Sequence, residues 1–298
     1  MSVNPYSSGS CKSEFESVQA ALIEHLQQLV GDRDPYMASG SHQLAQQYLR
    51  LTLSAWGCVR GHSFTVRGRE HYNWILQLPA ASAALQTLAP IIVGAHYDTV
   101  PGTPGADDNA SGVAVLLELA RQFSAQRLPR PVWLVAFDME EYGLLGSRAY
   151  AEDLRAMKQP VHLMLSLEML GYCDRAPHSQ SYPAPLLAQL YPHTGDYIAL
   201  VGNPSALLAM RRLKRHVKST GAACEWLPVP NRGHAIPATR RSDHASFWDC
   251  GYRAVMVTDT SFLRNPHYHQ SSDRLETLDL DFLTRVCLGL MAGLPRLG

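Results

Sequence analysis

The stretch "IIVGAHYDTVPGTPGADDNASGVAVLLELARQFS", Ile91 to Ser124, passes from an apolar, β-branched run into a loop with one histidine and three aspartates, then into a helical pattern. Val113, Leu116, Leu117 and Ala120 recur at helical spacing, which predicts a helix over Ser111–Ser124, with Asn109 or Ser111 placed to cap its start. Strand, loop and helix in succession form the basic unit of an α/β fold. An apolar core has no need of the loop between them. Something must neutralise or use the carboxylates of Asp98, Asp107 and Asp108 beside His96.

The same alternation fills the rest of the chain. Strands are predicted at His71–Leu78, Ile91–His96, Pro131–Asp138, His162–Leu170, Asp196–Gly202, Cys224–Val229 and Arg253–Asp259. Further helices are predicted at Glu14–Val30, His42–Leu53, Tyr142–Met157, Pro204–Thr220 and Leu280–Leu294. The pattern implies an α/β fold: a single globular domain whose central mixed, mostly parallel β-sheet is flanked by helices on both faces. Two proline-rich stretches, Asp174–Thr194 and Leu227–Ser242, read as loops over one face, because strands continue on both sides of each.

Composition narrows the function. With 26 basic and 26 acidic side chains in 298 residues, there is no electrostatic case for a nucleic-acid or acidic-lipid partner. No run of 18 apolar residues predicts a membrane span. The start, "MSVNPYSSGSCKSEFESV", lacks the basic-then-apolar build of a signal peptide, and no apolar segment precedes Cys11 as a lipid anchor would require. Six scattered cysteines without a C-x-x-C pair read as reduced thiols, so the expected compartment is cytoplasmic.

Polar residues gather where predicted strands end, and ligands of open α/β sheets bind beyond the carboxyl ends of strands. Ile91–His96 delivers His96 and Asp98, and Pro131–Asp138 is followed by Glu140 and Glu141. His162–Leu170 carries Glu168, and "RNPHYHQSSD" after Arg253–Asp259 supplies His267 and His269. Any one of these alone would be an ordinary structural or surface residue. Two adjacent carboxylates after an apolar strand, however, need a cation if they are buried. A His, Asp and Glu donor set with no thiol favours Zn²⁺ or a similar divalent ion.

The motifs "GAHYDTV", "GADDNASG", "EEYGLLGS", "LEMLGY" and "NPHYHQSSD", in this order and spacing, resemble the co-catalytic zinc aminopeptidases, a family that includes glutamate carboxypeptidases and animal glutaminyl cyclases. The resemblance runs from about Val30 to the C-terminus. It implies a zinc-exopeptidase (phosphorylase/hydrolase-like) catalytic domain over residues 31–298, with residues 1–30 as an N-terminal segment whose helix packs on it. It further implies two zinc ions. His96 and Glu168 belong to the first and Glu141 and His269 to the second, Asp108 bridges them, and Asp107 is not a ligand. Asp98 orients His96, Glu140 is the general base, and Tyr268 polarises the substrate carbonyl. A peptide is the implied partner, cleaved after its first residue because carboxylates near the metals hold its free amine.

The family's usual residue at position 168 is aspartate. Glutamate here brings carboxylate reach and first-metal affinity into question. "RSDHASFW" also resembles a family segment, in which Asp243 and His244 are either a supporting, substrate-proximal pair or a helix cap. The family often has a cis peptide bond after the bridging aspartate, here Asp108–Asn109. His178, His193, His216 and His234 have no motif support and read as surface or structural. The leading reading is a metal-dependent aminopeptidase. The alternatives are a single-zinc glutaminyl-peptide cyclotransferase, a carboxypeptidase or dipeptidase, and a non-catalytic scaffold.

Overall fold

The computed structural model describes residues 9–297, with side chains from Lys12 onward. The first eight residues of the stretch on which the signal-peptide reading rests, and the side chain of Cys11, lie outside the described residues.

Eight strands form one sheet: β1 (Val59–Val66), β2 (Arg69–Leu78), β3 (Ile91–His96), β4 (Val132–Phe137), β5 (Leu163–Glu168), β6 (Tyr197–Gly202), β7 (Ala223–Pro228) and β8 (Ala254–Thr258). Their spatial order is β1-β2-β4-β3-β5-β8-β6-β7. The four central strands, β4, β3, β5 and β8, run parallel to one another, and β2 and β6 join that block antiparallel. The fold is therefore a single α/β domain with a mixed, mostly parallel sheet.

Helices cover both faces because alternate residues of a strand point to opposite sides. Ile91, Val93 and Ala95 of β3 and Leu163, Leu165 and Leu167 of β5 face one core, shared with α1 (Gly9–Leu29), α4 (Gly112–Ser124), α7 (Leu207–Ser219) and α9 (Leu280–Gly293). Ile92 and Met164 face the other, with Tyr150, Ala151 and Leu154 of α5 (Leu145–Ala156) and Phe247 and Trp248 of α8 (His244–Asp249). The N-terminal helix contributes Val18, Leu22, Leu26 and Leu29 to the first core, so it is part of the packed body. Among the described residues, no helix is long and apolar enough to cross a membrane.

Gly94, in the middle of β3, shows how tightly the second face is filled. A Cβ added there would come within 2.3 Å of Cε2 of Phe137. Gly94→Ala is expected to lower stability by about 1–3 kcal/mol through overpacking. This should appear as a lower urea midpoint with unchanged slope. An unchanged midpoint would mean that the Phe137 ring moves aside at no cost.

Sequence and structure differ in several places. Strand β1 is unpredicted: "VRGHSFTV" alternates half-buried and exposed positions on an edge of the sheet, so it lacks the apolar run that marks inner strands. The stretch Asp174–Thr194 is not wholly loop, since Pro185–Leu190 forms a short helix (α6) with proline in its first turn. The short helix α3 (Ala83–Gln86) is also unpredicted, whereas α8 falls where the segment "RSDHASFW" implies a helix. Neither Asn109 nor Ser111 caps α4 with its side chain. Asn109 instead donates from Nδ2 to the Leu167 carbonyl at 2.8 Å and accepts from the Met169 amide at 3.1 Å, tying the loop to β5. Ser111 Oγ donates to the Asp107 carbonyl and accepts from the Leu170 amide.

Candidate metal centre and active site

Because β4, β3, β5 and β8 are parallel neighbours, their carboxyl ends lie side by side at the spacing of adjacent strands, about 4.8 Å. Each ends or exits in a polar residue: His96 closes β3, Glu168 closes β5, Glu140 and Glu141 follow β4, and the loop after β8 leads to His269. Met139, Met169 and His269 adopt left-handed backbone, with φ of 60°, 52° and 56°. Non-glycine residues in this conformation concentrate at functional sites, where the surroundings impose them.

Asp108 stands at the centre. Its Oδ1 lies 3.2 Å from His96 Nε2 and its Oδ2 lies 3.2 Å from His269 Nε2. Glu168 Oε2 approaches His96 Nε2 at 3.6 Å, and Glu141 Oε2 approaches His269 Nε2 at 3.2 Å. One carboxylate thus faces two imidazoles, each of which also has a glutamate. Ligand atoms of His96, Glu140 and Glu168 fall within 4.8 Å of one another, and so do those of His96, Asp108 and Glu141. The peptide bond Asp108–Asn109 is cis.

These residues suit a metal. His96 Nε2 and Asp108 Oδ1 are buried, and although they are close, neither has an aligned hydrogen-bond partner. Atoms directed at a shared cation would look like this. Burial pushes Glu141 up to about 7, and the Asp108 carboxylate adds to the effect. Glu140 is driven well above the carboxylate range, first by burial and then by Glu168 and Glu141. Burial alone would also raise Asp108, but the imidazoles of His269 and His96 outweigh it and hold this carboxyl below its ordinary range. Buried carboxylates this close together ionise jointly only around a cation.

A layer of buried side chains holds these residues in place. Asp98 accepts the amides of Glu140 and Glu141, one on each carboxylate oxygen, both at 3.1 Å. Its Oδ1 also lies 3.4 Å from His96 Nδ1. Asp273 accepts the amides of Asp107 and Asp108 at 2.9 and 3.1 Å. Asp107 points away from the cluster and accepts from Asn265 Nδ2 and the Gly171 amide. The longer Glu168 side chain is fixed by Ser242 Oγ at 2.8 Å, which in turn meets Ser166 Oγ at 2.7 Å. The extra methylene therefore still leaves this carboxylate beside His96.

Tyr268 stacks on the His269 ring, with centroids 3.7 Å apart and planes at 23°. Asp243 makes no side-chain cap bond, and both its carboxylate oxygens are buried without a hydrogen-bond partner. Burial pushes Asp243 up to about 7. His244 is bound to the Thr239 carbonyl at 2.8 Å and lowered to about 4 by burial, a neutral structural residue. His267 meets Ser272 Oγ at 2.9 Å and is not brought into the cluster. His178, His193 and His234 are exposed and His216 half-buried.

Sequence reasoning missed a layer behind the β4 exit. Asp138 is buried between His42 Nε2 at 2.8 Å and His71 Nδ1 at 3.1 Å, and it accepts the Met139 amide at 2.9 Å. The turn that carries Glu140 is thereby pinned from α2 (Ser39–Ser54) and β2. The only local signal was an aspartate ending an apolar strand.

Beside Glu168 opens an apolar recess walled by Tyr182, Leu187, Tyr197, Trp226, Met256 and Phe262.

Residues 73–292 match peptidase family M28. The chain is 35% identical to YfbL of Escherichia coli K12 over 282 residues, 90% of this chain and 84% of that one. It superposes on the LapA aminopeptidase of Legionella pneumophila with a TM-score of 0.70 at 17% identity, over 98% of this chain and 77% of the other. It superposes on the glutaminyl cyclase of Porphyromonas gingivalis with a TM-score of 0.66 at 20% identity, over 95% and 98%. It spans about half the length of the fungal leucine aminopeptidases that it also matches.

Proposed function

The chain belongs to peptidase family M28, and on that premise we propose that it is a zinc-dependent aminopeptidase that removes single residues from the N-terminus of peptides. The observation that carries the reading is Asp108 facing His96 with one oxygen and His269 with the other. His96, Asp108 and Glu168 would hold one ion, and Asp108, Glu141 and His269 a second. When bound, the ions supply Lewis acidity toward the scissile carbonyl and lower the pKa of a water.

The remaining roles fall to the chain's own groups. Glu140 takes the proton of the attacking water and returns it to the leaving amine. Tyr268 donates a hydrogen bond to the carbonyl oxygen as charge develops there. The carboxylates of Glu140 and Glu168 hold the free amine of the peptide, which restricts cleavage to the first bond. The recess beside Glu168 receives the first side chain, and its aromatic and aliphatic walls favour a bulky apolar one. Cys58, Cys173, Cys224, Cys250 and Cys287 are unpaired thiols, which supports a cytoplasmic enzyme.

The test is a metal count on purified protein titrated with zinc, together with a panel of aminoacyl chromogenic substrates and peptides. Two equivalents are expected, with release of leucine, methionine or phenylalanine favoured over alanine by roughly tenfold or more in kcat/KM. N-acetylated peptides should be inert. One equivalent at saturating zinc, with pyroglutamate formed from a glutamine-initiated peptide and no amino acid released, would reassign the chain as a cyclase.

A further inference from the structure

Arg241 lies on the stretch between the turn Pro237–Arg240 and α8, and it lines the recess together with Glu168 and Phe262. Its Nη2 donates to the hydroxyl of Tyr268 at 3.1 Å. Its guanidinium carbon sits 4.8 Å from the Phe262 ring centroid and 5.7 Å from that of Tyr268. Among the described residues, no carboxylate forms an ion pair with it, and no other hydrogen bond reaches the Tyr268 hydroxyl. A cation held on an aromatic ring is thus applied to the phenol that stacks on His269.

We propose that Arg241 is a positioning residue that aims and strengthens Tyr268 as the hydrogen-bond donor to the substrate carbonyl oxygen. The proposal rests on the aminopeptidase reading above. A phenol has one O–H to give and lone pairs that can accept. Because Arg241 occupies the accepting side, the phenolic hydrogen is left to point elsewhere, and a donor that is itself polarised by a cation gives a stronger hydrogen bond. Two contacts fix the ring: stacking on His269 holds its plane, and the guanidinium holds its oxygen. Arginine suits the task because its planar group can lie on Phe262 while its edge reaches Tyr268. The compact ammonium of lysine cannot do both.

The experiment is steady-state kinetics on leucine p-nitroanilide and on the dipeptide Leu-Gly, with Arg241→Ala, Arg241→Lys, Tyr268→Phe and the double variant Arg241→Ala/Tyr268→Phe. Arg241 is exposed, so its truncation opens no buried cavity, and circular dichroism of each variant checks that the fold is kept. Arg241→Ala is expected to lower kcat roughly tenfold on both substrates, with KM changed by no more than about twofold. Arg241→Lys should recover only part of that loss. In the Tyr268→Phe background, removing Arg241 should cost nothing more, because residues acting as a unit are not additive.

A loss that persists undiminished without the Tyr268 hydroxyl would overturn the proposal and leave the aminopeptidase reading intact. A rise in KM confined to the dipeptide, with kcat unchanged, would also overturn it and assign Arg241 to the substrate's carboxylate. Failure of the unsubstituted enzyme to release any amino acid would overturn both.

Discussion

Glu140→Gln is expected to retain its metal and to lose a factor of roughly a hundred or more in kcat, the scale of losing a general base. Its neighbour should behave differently. Glu141→Gln removes an anionic oxygen that lies 3.2 Å from His269, so zinc affinity should fall, with activity recovered in part at high zinc. The contrast follows from placement. Both glutamates are suspended from Asp98 by adjacent amides, yet their partners differ: Glu140 groups with His96 and Glu168, whereas Glu141 groups with His96 and Asp108 and alone of the two meets His269, at 3.2 Å. Metal content by elemental analysis, with kcat measured at saturating zinc, separates the two. If Glu140→Gln were the variant that lost metal, base and ligand would be exchanged between these positions. The grouping of Glu140 with His96 and Glu168 makes that exchange a real structural alternative.

The second large effect is expected at Asp98, which reaches no proposed metal position directly. Asp98→Asn keeps the shape but replaces one acceptor oxygen by an N–H₂ group. That group would face the amide of Glu140 or of Glu141, donor against donor, in a fully buried place. His96 Nδ1 would keep its contact with the Asp98 main-chain carbonyl at 3.2 Å and lose the carboxylate charge that lies 3.4 Å away. Substitution of such a supporting carboxylate typically costs 10–100-fold in metal affinity or activity, about 10–100-fold being the expectation here. Competition against a chelator measures the affinity. An affinity within twofold of the unsubstituted protein would show that the Asp138 cluster suffices to hold the β4 exit. In that case His42→Ala should become the damaging substitution.

Much of this molecule is written in short-range pattern. The inner strands announce themselves through β-branched runs such as Ile91–His96, because a strand buried on both faces has no polar side to interrupt it. Helix α4 is legible from its 3.6-residue period. The candidate ligands are legible because an open parallel sheet leaves polar residues at strand exits, where a core has no use for them. Where local pattern was weak or served something remote, it misled. The edge strand β1 mixes histidine, serine and arginine, and the side chains of Asn109 and Ser111 go to β5 and to Asp107 and Leu170 rather than to the helix they precede.

Tertiary structure alone decided the rest. Asp273 grips the amides of Asp107 and Asp108 across more than 160 residues of chain, and Asp138 meets His42 across 96. Arg241 finds the hydroxyl of Tyr268 across 27, and the recess gathers its walls from α6, β6, β7, β8 and the loops between them. No periodicity encodes such pairings, because each is created when the sheet order brings distant segments together. The sequence by itself determined which residue types stand at the strand ends. Only the packed sheet decided which atoms they face, because hydrogen bonds and ion pairs act over a few ångströms of space, whatever the separation along the chain.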